Sequence, residues 1–246
     1  MGTQRFTVEV VRLTSAMLGE GFVLQRFVLG PINTNTYVVT DPEGGVAVVI
    51  DPAPGASEAL TPILKGFEGK VIILITHAHF DHASDAARLR ASLGGPPKAV
   101  CVLHELDKSM YRISEGAARW FGAEWEDPVV DVYLTVREGV EPVKPLREEG
   151  VAALAIHVPG HTPGSVTYYF LDARAAFTGD TLFKGTIGRT DFPGGDPEAM
   201  RESLRRLARE LPPETRILPG HGSPTTMGRE LRENYALKQA LEGDES

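Results

Sequence analysis

Cysteine is almost missing from this chain: its 246 residues include one, Cys101. No disulfide can form within a single chain, so the fold must rest on a packed core. Cys101 sits in the apolar run 99–103, where a thiol reads as a small buried hydrophobe rather than a nucleophile. Positive charge is also scarce. The 25 Lys and Arg are outnumbered by 33 Asp and Glu, for a formal net charge of −8, and no basic run offers the stripe that a phosphate backbone attracts. A nucleic-acid partner is therefore not expected. Long apolar runs are absent as well. The first residues carry Arg5, Glu9 and Arg12, with no apolar stretch of roughly 7–15 residues to mark a secretion signal and none of ~20 to span a membrane. A cytoplasmic location is the default expectation. Internal repeats and low-complexity segments are missing too.

The length suits one large α/β domain over 1–246, with 1–20 as an N-terminal extension and 227–246 as a C-terminal helix. Strand-like runs occupy 22–29, 35–40 and 46–50, with a turn over Asp41, Pro42, Glu43, Gly44 and Gly45. A helix is predicted over 57–67 with Ser57 as its N-cap, then a strand over 71–75 and a helix over 83–93 that Gly94, Gly95, Pro96 and Pro97 stop. Strands follow near 99–103, 130–136, 152–158, 165–171 and 174–178. Asp196 and Pro197 open a helix to about Arg209, and a last helix runs over 227–241. Each half gives several strands followed by helices, which suits two sheets packed face to face with helices outside.

Histidine is also uncommon, with seven in all, and its distribution is informative. Three fall in Thr76-His77-Ala78-His79-Phe80-Asp81-His82, directly after the strand-like run 71–75. Imidazole nitrogen and carboxylate oxygen are ligands that zinc and its first-row neighbours prefer. Four such groups on one short loop suit two adjacent ions better than one tetrahedral ion, with His77 and His79 facing one and Asp81 and His82 the other. Two more histidines lie in near-identical turns, Pro159-Gly160-His161-Thr162 and Pro219-Gly220-His221-Gly222, and Thr178-Gly179-Asp180-Thr181 adds a carboxylate. Each turn follows an apolar run, so the pattern is strand, glycine turn, ligand. His104 and His157 fit no such position and read as structural.

With these motifs in place the chain resembles the metallo-β-lactamase-fold hydrolases, and within them the glyoxalase II (hydroxyacylglutathione hydrolase) group. The resemblance runs from about Gly30 to Gly228 through LGPINTNTYVVTD, VVIDP, THAHFDH, VPGHTPGSV, TGDTLFKGTIGRTDFPGGD and LPGHG. It implies a four-layer αβ/βα sandwich with the site along one edge. It implies that His77, His79 and His161 bind one metal, that Asp81, His82 and His221 bind a second, and that Asp180 bridges both. Two divalent ions are expected, zinc first, with iron or manganese as alternatives. Asp81 and Asp180 are the expected catalytic residues, around a metal-bridging hydroxide that attacks the thioester carbonyl. Asp51, in VVIDP, either orients a ligand imidazole by a hydrogen bond or caps the adjacent turn. Arg189 falls at the family's basic substrate contact, where its planar fork suits a carboxylate; the competing reading is a surface salt bridge.

The chain departs from the full glyoxalase II pattern. Fewer than thirty residues follow His221, enough for one helix and not for the group's additional glutathione-holding domain. The family's aromatic residue two positions after the basic contact falls on Asp191. These features resemble a shorter bacterial branch. Three functions follow as expectations. The first is hydrolysis of a small, anionic thioester. The second is persulfide dioxygenation by one iron held by two His and one Asp. The third is phosphodiester cleavage, which the charge disfavours. Assembly into homo-oligomers is left open, and the aromatic segment 111–125 either lines a pocket or serves as core or subunit contact.

Overall fold

The computed structural model describes residues 7–12, 23–40, 45–137 and 139–242. The turn expected at 41–44 and most of the expected N-terminal extension lie outside the described residues. The first sheet has seven strands in sequential order: β1 (Thr7–Arg12), β2 (Val23–Leu29), β3 (Thr34–Thr40), β4 (Val46–Ile50), β5 (Lys70–Leu74), β6 (Ala99–His104) and β7 (Val132–Leu134). Pairing is antiparallel from β1 to β4 and parallel from β4 to β7. The edge strand β1 belongs to the segment expected as an extension; its pairing to β2 runs from Thr7 opposite Val28 to Arg12 opposite Val23. The second sheet contains β8 (Val140–Pro142), β9 (Ala153–His157), β10 (Val166–Phe170), β11 (Ala175–Gly179), β14 (Arg216–Pro219) and β15 (Thr225–Thr226). A two-stranded ribbon, β12 (Leu182–Phe183) and β13 (Thr186–Ile187), stands beside it.

Why the central strands read as unbroken apolar runs is plain from their two faces. Val46, Val48 and Ile50 of β4 and Ile72 and Leu74 of β5 point between the sheets, where they meet Ala155, Val166, Tyr168, Phe170 and Phe177. Ala47, Val49, Val71 and Ile73 point the other way, into a layer formed by α1 (Ala56–Leu64), α2 (Phe80–Ala83) and α3 (Ala86–Ser92). A strand covered on both sides has no use for polar alternation. The far side of the second sheet is covered by α6 (Pro197–Glu210), α7 (Met227–Glu233) and α8 (Tyr235–Glu242), with α4 (Tyr111–Trp120) and α5 (Lys144–Glu148) as connecting helices. The result is the four-layer αβ/βα sandwich. Among the described residues no helix is long and apolar enough to cross a membrane.

Three expected helices differ from the observed ones, each for a local reason. Ser57 does not cap α1. Gly55 is the N-cap, with φ 94°, and the capping acceptor comes from afar: Asp85 Oδ2 takes the backbone N–H of Gly55 and of Ser57 at 3.0 and 2.8 Å. The helix expected over 83–93 is the shorter α3, which starts after the N-cap Asp85, and a separate single turn, α2, precedes it within the expected ligand loop. The last helix is likewise split at Asn234, whose fully buried amide donates to Thr186 O at 3.0 Å and whose oxygen caps Leu237 N at 3.2 Å. Asp196 does cap α6 as expected, accepting from Glu198 N and Ala199 N.

The two sheets are stitched together at one edge. Asn35 N donates to Gly220 O at 2.7 Å and Val166 N to Thr76 O at 2.9 Å, while Tyr37 Oη donates to Pro219 O and Tyr168 Oη to Ile75 O. That edge is where strands β4, β5, β11 and β14 end.

Candidate metal centre

Every histidine and carboxylate in the expected ligand set lies at this edge. Asp51 follows β4, His77 and His79 follow β5, and Asp81 and His82 sit in the single turn of α2. His161 lies in the turn between β9 and β10, Asp180 follows β11, and His221 follows β14. Their ligand atoms converge in three overlapping sets, each within 4.8 Å: His77, His79 and His161; Asp81, His82 and His221; and His77, His82 and Asp180.

In the first set, His79 Nδ1 stands 3.1 Å from His77 Nε2 and 3.0 Å from His161 Nε2. In the second, Asp81 Oδ2 is 3.1 Å from His82 Nε2 and 3.2 Å from His221 Nε2. The Asp180 carboxylate lies between them. Its Oδ1 is 3.4 Å from His82 Nε2, and its Oδ2 is 3.5 Å from His161 Nε2 and 3.6 Å from His221 Nε2.

The donor set fits two cations on three observations. First, His82 Nε2 and Asp180 Oδ1 are buried without a hydrogen-bond partner, a costly arrangement unless something else satisfies them. Second, in the three-histidine group and at the two carboxylates the protonation states are those a metal needs. Burial, with mutual repulsion among the rings, pulls His77 well below the ordinary imidazole range and His79 down to about 3; His161 is lowered too, chiefly by burial. Burial pushes Asp180 up, but His82, His161 and His221 outweigh it and hold the carboxyl at about 2. Asp81 is held low in the same way, against its burial, by His82 and His221. For His82 burial favours the neutral ring, yet Asp81, Asp180 and Asp51 together draw positive charge to it. At His221 as well the neighbouring carboxylates Asp81 and Asp180 outweigh burial and raise the pKa, so this half of the centre draws positive charge while the three-histidine half presents neutral rings. Third, the crowding leaves no alternative residue at two turns. A Cβ at Gly220 would stand 2.3 Å from Asp180 Oδ1 and 2.5 Å from His82 Cε1. One at Gly179, where φ is 49°, would stand 2.4 Å from Thr76 Oγ1.

Around the ligands lies a layer that aims them. Asp51 Oδ2 is 2.9 Å from His82 Nδ1 and accepts from Thr76 Oγ1 at 2.7 Å, while Oδ1 accepts from Thr76 N at 2.7 Å. One carboxylate therefore reaches both the His82 ring and the start of the loop that carries His77. Thr34 Oγ1 donates to Asp81 Oδ2 at 2.8 Å, and Asn35 Nδ2 donates to Pro219 O and Gly222 O on either side of His221. His161 Nδ1 donates to Arg189 O at 2.9 Å. Such outer partners fix the tautomer and ring plane of a ligand.

Arg189 contributes that carbonyl, but its guanidinium is exposed and paired with Asp191 at 2.7 and 3.1 Å. The salt-bridge reading is the one the structure contains. Phe192, which the sequence reasoning passed over, borders the centre: its ring lies 5.0 Å from His79 and 5.1 Å from His161, with the Arg189 guanidinium 5.2 Å away on it. Beside His221 a cavity of about 300 Å³ is lined by Phe183, Lys184 and Thr186. Thr34, Asn35 and Phe192 lie inside the quoted motifs PINTNTY and GRTDF, so their positions, though not their roles, were visible. His104 and His157 stack on each other at 4.5 Å, away from the ligands, as structural residues. The segment 111–125 divides: Tyr111 and Trp125 pack on the helix-side core, Phe121 stacks on Phe80 at 5.3 Å, and Trp120 is exposed.

Known proteins resemble this chain in sequence and fold. The pattern of the Metallo-beta-lactamase superfamily matches residues 29–221. A hydroxyacylglutathione hydrolase, GloC, of Haemophilus influenzae is 34% identical over 203 residues, 82% of this chain and 92% of that protein. Among solved structures, the BLEG-1 B3 metallo-beta-lactamase superposes with a TM-score of 0.71 at 33% identity, covering 87% of this chain and 99% of that one. A protein crystallised in a di-iron-bound form superposes with a TM-score of 0.69 at 38% identity, covering 85% and 97%.

Proposed function

The chain belongs to the metallo-beta-lactamase superfamily, and from that premise we propose that it is a two-metal hydrolase of small anionic thioesters of the hydroxyacylglutathione type. The observation that carries the reading is the seven-residue ligand set, with the Asp180 carboxylate between two groups of three. Zinc is the proposed metal. The likeness to a protein solved with two irons supports iron as the alternative.

Two divalent ions held there would lower the pKa of water at the site from ~15.7 to ~7 and polarise a carbonyl oxygen. The chain's own residues supply the rest. Asp81, anchored by the Thr34 hydroxyl, orients the attacking oxygen. Asp180 keeps the two ligand groups in one geometry. Phe192 and the cavity beside His221 flank the substrate and limit its approach to one direction. Arg189 contacts the substrate's carboxylate once Asp191 is displaced. A thiolate leaves with little assistance, because a free thiol has a pKa of ~8.5, so the reaction needs no separate strong acid. We place the reaction in the cytoplasm with small molecules as its only required partners.

The test is thiol release from S-lactoylglutathione by metal-loaded protein, with nitrocefin and glutathione persulfide offered in parallel. Thioester turnover well above the other two supports the reading. β-Lactam opening alone, or oxygen uptake with persulfide alone, would replace it.

A further inference from the structure

Asp107 belongs to no ligand group, yet its carboxylate is buried completely. It lies in a 3₁₀ turn over Glu105–Met110, after β6. Among the described residues it has no cationic partner. Its three donors are Ala78 N to Oδ2 at 2.7 Å, Thr162 Oγ1 to Oδ2 at 2.9 Å, and Gly164 N to Oδ1 at 2.6 Å. Burial pushes its pKa up to about 6 even against the pull of these three donors. A carboxylate in such surroundings is a poor device for stability alone, since an apolar side chain of the same volume is commonly as good or better. Its use lies in geometry.

The donors share one property. Ala78 lies between His77 and His79, Thr162 follows His161, and Gly164 completes the His161 turn. One carboxylate therefore ties together the two loops that carry the three-histidine group. These loops come from different sheets, one after β5 and the other between β9 and β10. The joint is tight: a Cβ at Gly164 would stand 2.7 Å from Asp107 Oδ1 and 2.8 Å from Asp107 N. The Ala78 peptide is gripped from its other side as well, by Ser114 Oγ donating to Ala78 O at 2.5 Å. The other group is aimed by different residues, Asp51 on His82, Thr34 on Asp81 and Asn35 around His221. Asp51 also reaches His77, through Thr76 Oγ1, which donates to Asp51 Oδ2 and stands 3.0 Å from His77 Nδ1, whereas the bonds of Asp107 go to the two loops of the three-histidine group.

We propose that Asp107 is a positioning residue for the three-histidine half alone, setting how tightly His77, His79 and His161 hold their ion while leaving the Asp81, His82 and His221 group unaffected. The inference rests on the two-metal reading above.

The experiment titrates Zn²⁺ into the whole chain against a chromophoric chelator, in three backgrounds. These are the native sequence, His221→Ala to isolate the three-histidine site, and His161→Ala to isolate the other. Asp107→Asn is nearly isosteric, but its amide turns a donor toward one of the three donors. It should raise the zinc dissociation constant about 10–100-fold in the His221→Ala background and change it less than about threefold in the His161→Ala background. Thr162→Val removes one of the three bonds and leaves both backbone donors in place, so it tests the same joint should Asp107→Asn not fold. It should weaken the same site in the same direction by a smaller factor. Equal weakening in both backgrounds, the effect of general destabilisation, overturns the proposal, as does unchanged affinity at the three-histidine site. Uptake of fewer than two ions by the native chain would instead overturn the two-metal reading, whatever Asp107→Asn does.

Discussion

Replacing Gly220 by alanine isolates the packing argument from the coordination chemistry, because the added methyl touches ligands without removing any. The backbone at Gly220 is not left-handed, so alanine brings no torsional strain. Its Cβ would stand 2.3 Å from Asp180 Oδ1 and 2.5 Å from His82 Cε1. Ordinary contact is roughly 3.5 Å, so each separation must open by about 1 Å. The backbone cannot supply that movement easily, because Gly220 N donates to Gly179 O at 2.8 Å and Gly220 O accepts from Asn35 N at 2.7 Å. The misfit therefore falls on His82 and Asp180. A displacement of ~1 Å at a reacting centre costs on the order of 10²-fold in rate, and overpacking a closed site costs about 1–3 kcal/mol of stability. Gly220→Ala should thus fold with a modestly lower Tm, retain less than two metal ions per chain, and lose about 100-fold in kcat on a thioester. Metal content by mass spectrometry, thermal unfolding and thiol release measure the three effects. Gly66→Ala, with nothing within 4 Å of the new Cβ, is the control. A Gly220→Ala protein with two ions and unchanged kcat would refute the claim that glycine is required for the centre's compactness.

Three further outcomes are expected. Asp180→Ala should lower metal content at both sites and abolish turnover, since that carboxylate lies 3.4 to 3.6 Å from ligands of both groups; metal analysis showing two retained ions would contradict its bridging position. Asp51→Asn removes the charged acceptor behind His82 and Thr76 and should weaken the Asp81, His82 and His221 site about 10–100-fold; calorimetric zinc titration in the His161→Ala background reads it, and an unchanged affinity would sink the assignment. Asp191→Asn frees the Arg189 fork from a solvent-screened exposed pair and should lower KM for an anionic thioester by up to about fivefold, while Arg189→Ala raises it; an equal effect on a neutral thioester would remove Arg189 from substrate recognition.

The residues that converge at the candidate centre were legible because their signals are short-range. His77, His79, Asp81 and His82 fall within one loop, and His161, Asp180 and His221 each follow a strand and a glycine, so no knowledge of distant contacts was needed. The layers were legible from the alternation of strand and helix patterns. What escaped the sequence was long-range. Asp85 caps α1 from 28 residues away, which no local capping rule anticipates and which misplaced the helix start onto Ser57. Asp107 reaches loops 29 and 55 residues distant, and nothing in its neighbours Leu106 and Lys108 marks it. Asn234 divides the last helix because its side chain is claimed by Thr186 and Glu230, a tertiary demand that helix propensity does not see. Arg189 could be placed by its motif, but its engagement by Asp191 depends on side-chain geometry that spacing does not encode.

The central claim is that two ions, not one, make the hydrolytic centre. The most direct measurement is reconstitution: metal-free protein titrated with Zn²⁺ while S-lactoylglutathione hydrolysis is followed. The account predicts that turnover reaches its plateau at two equivalents per chain, with Asp180→Ala inactive throughout. A plateau at one equivalent, with no further gain from the second, would contradict it.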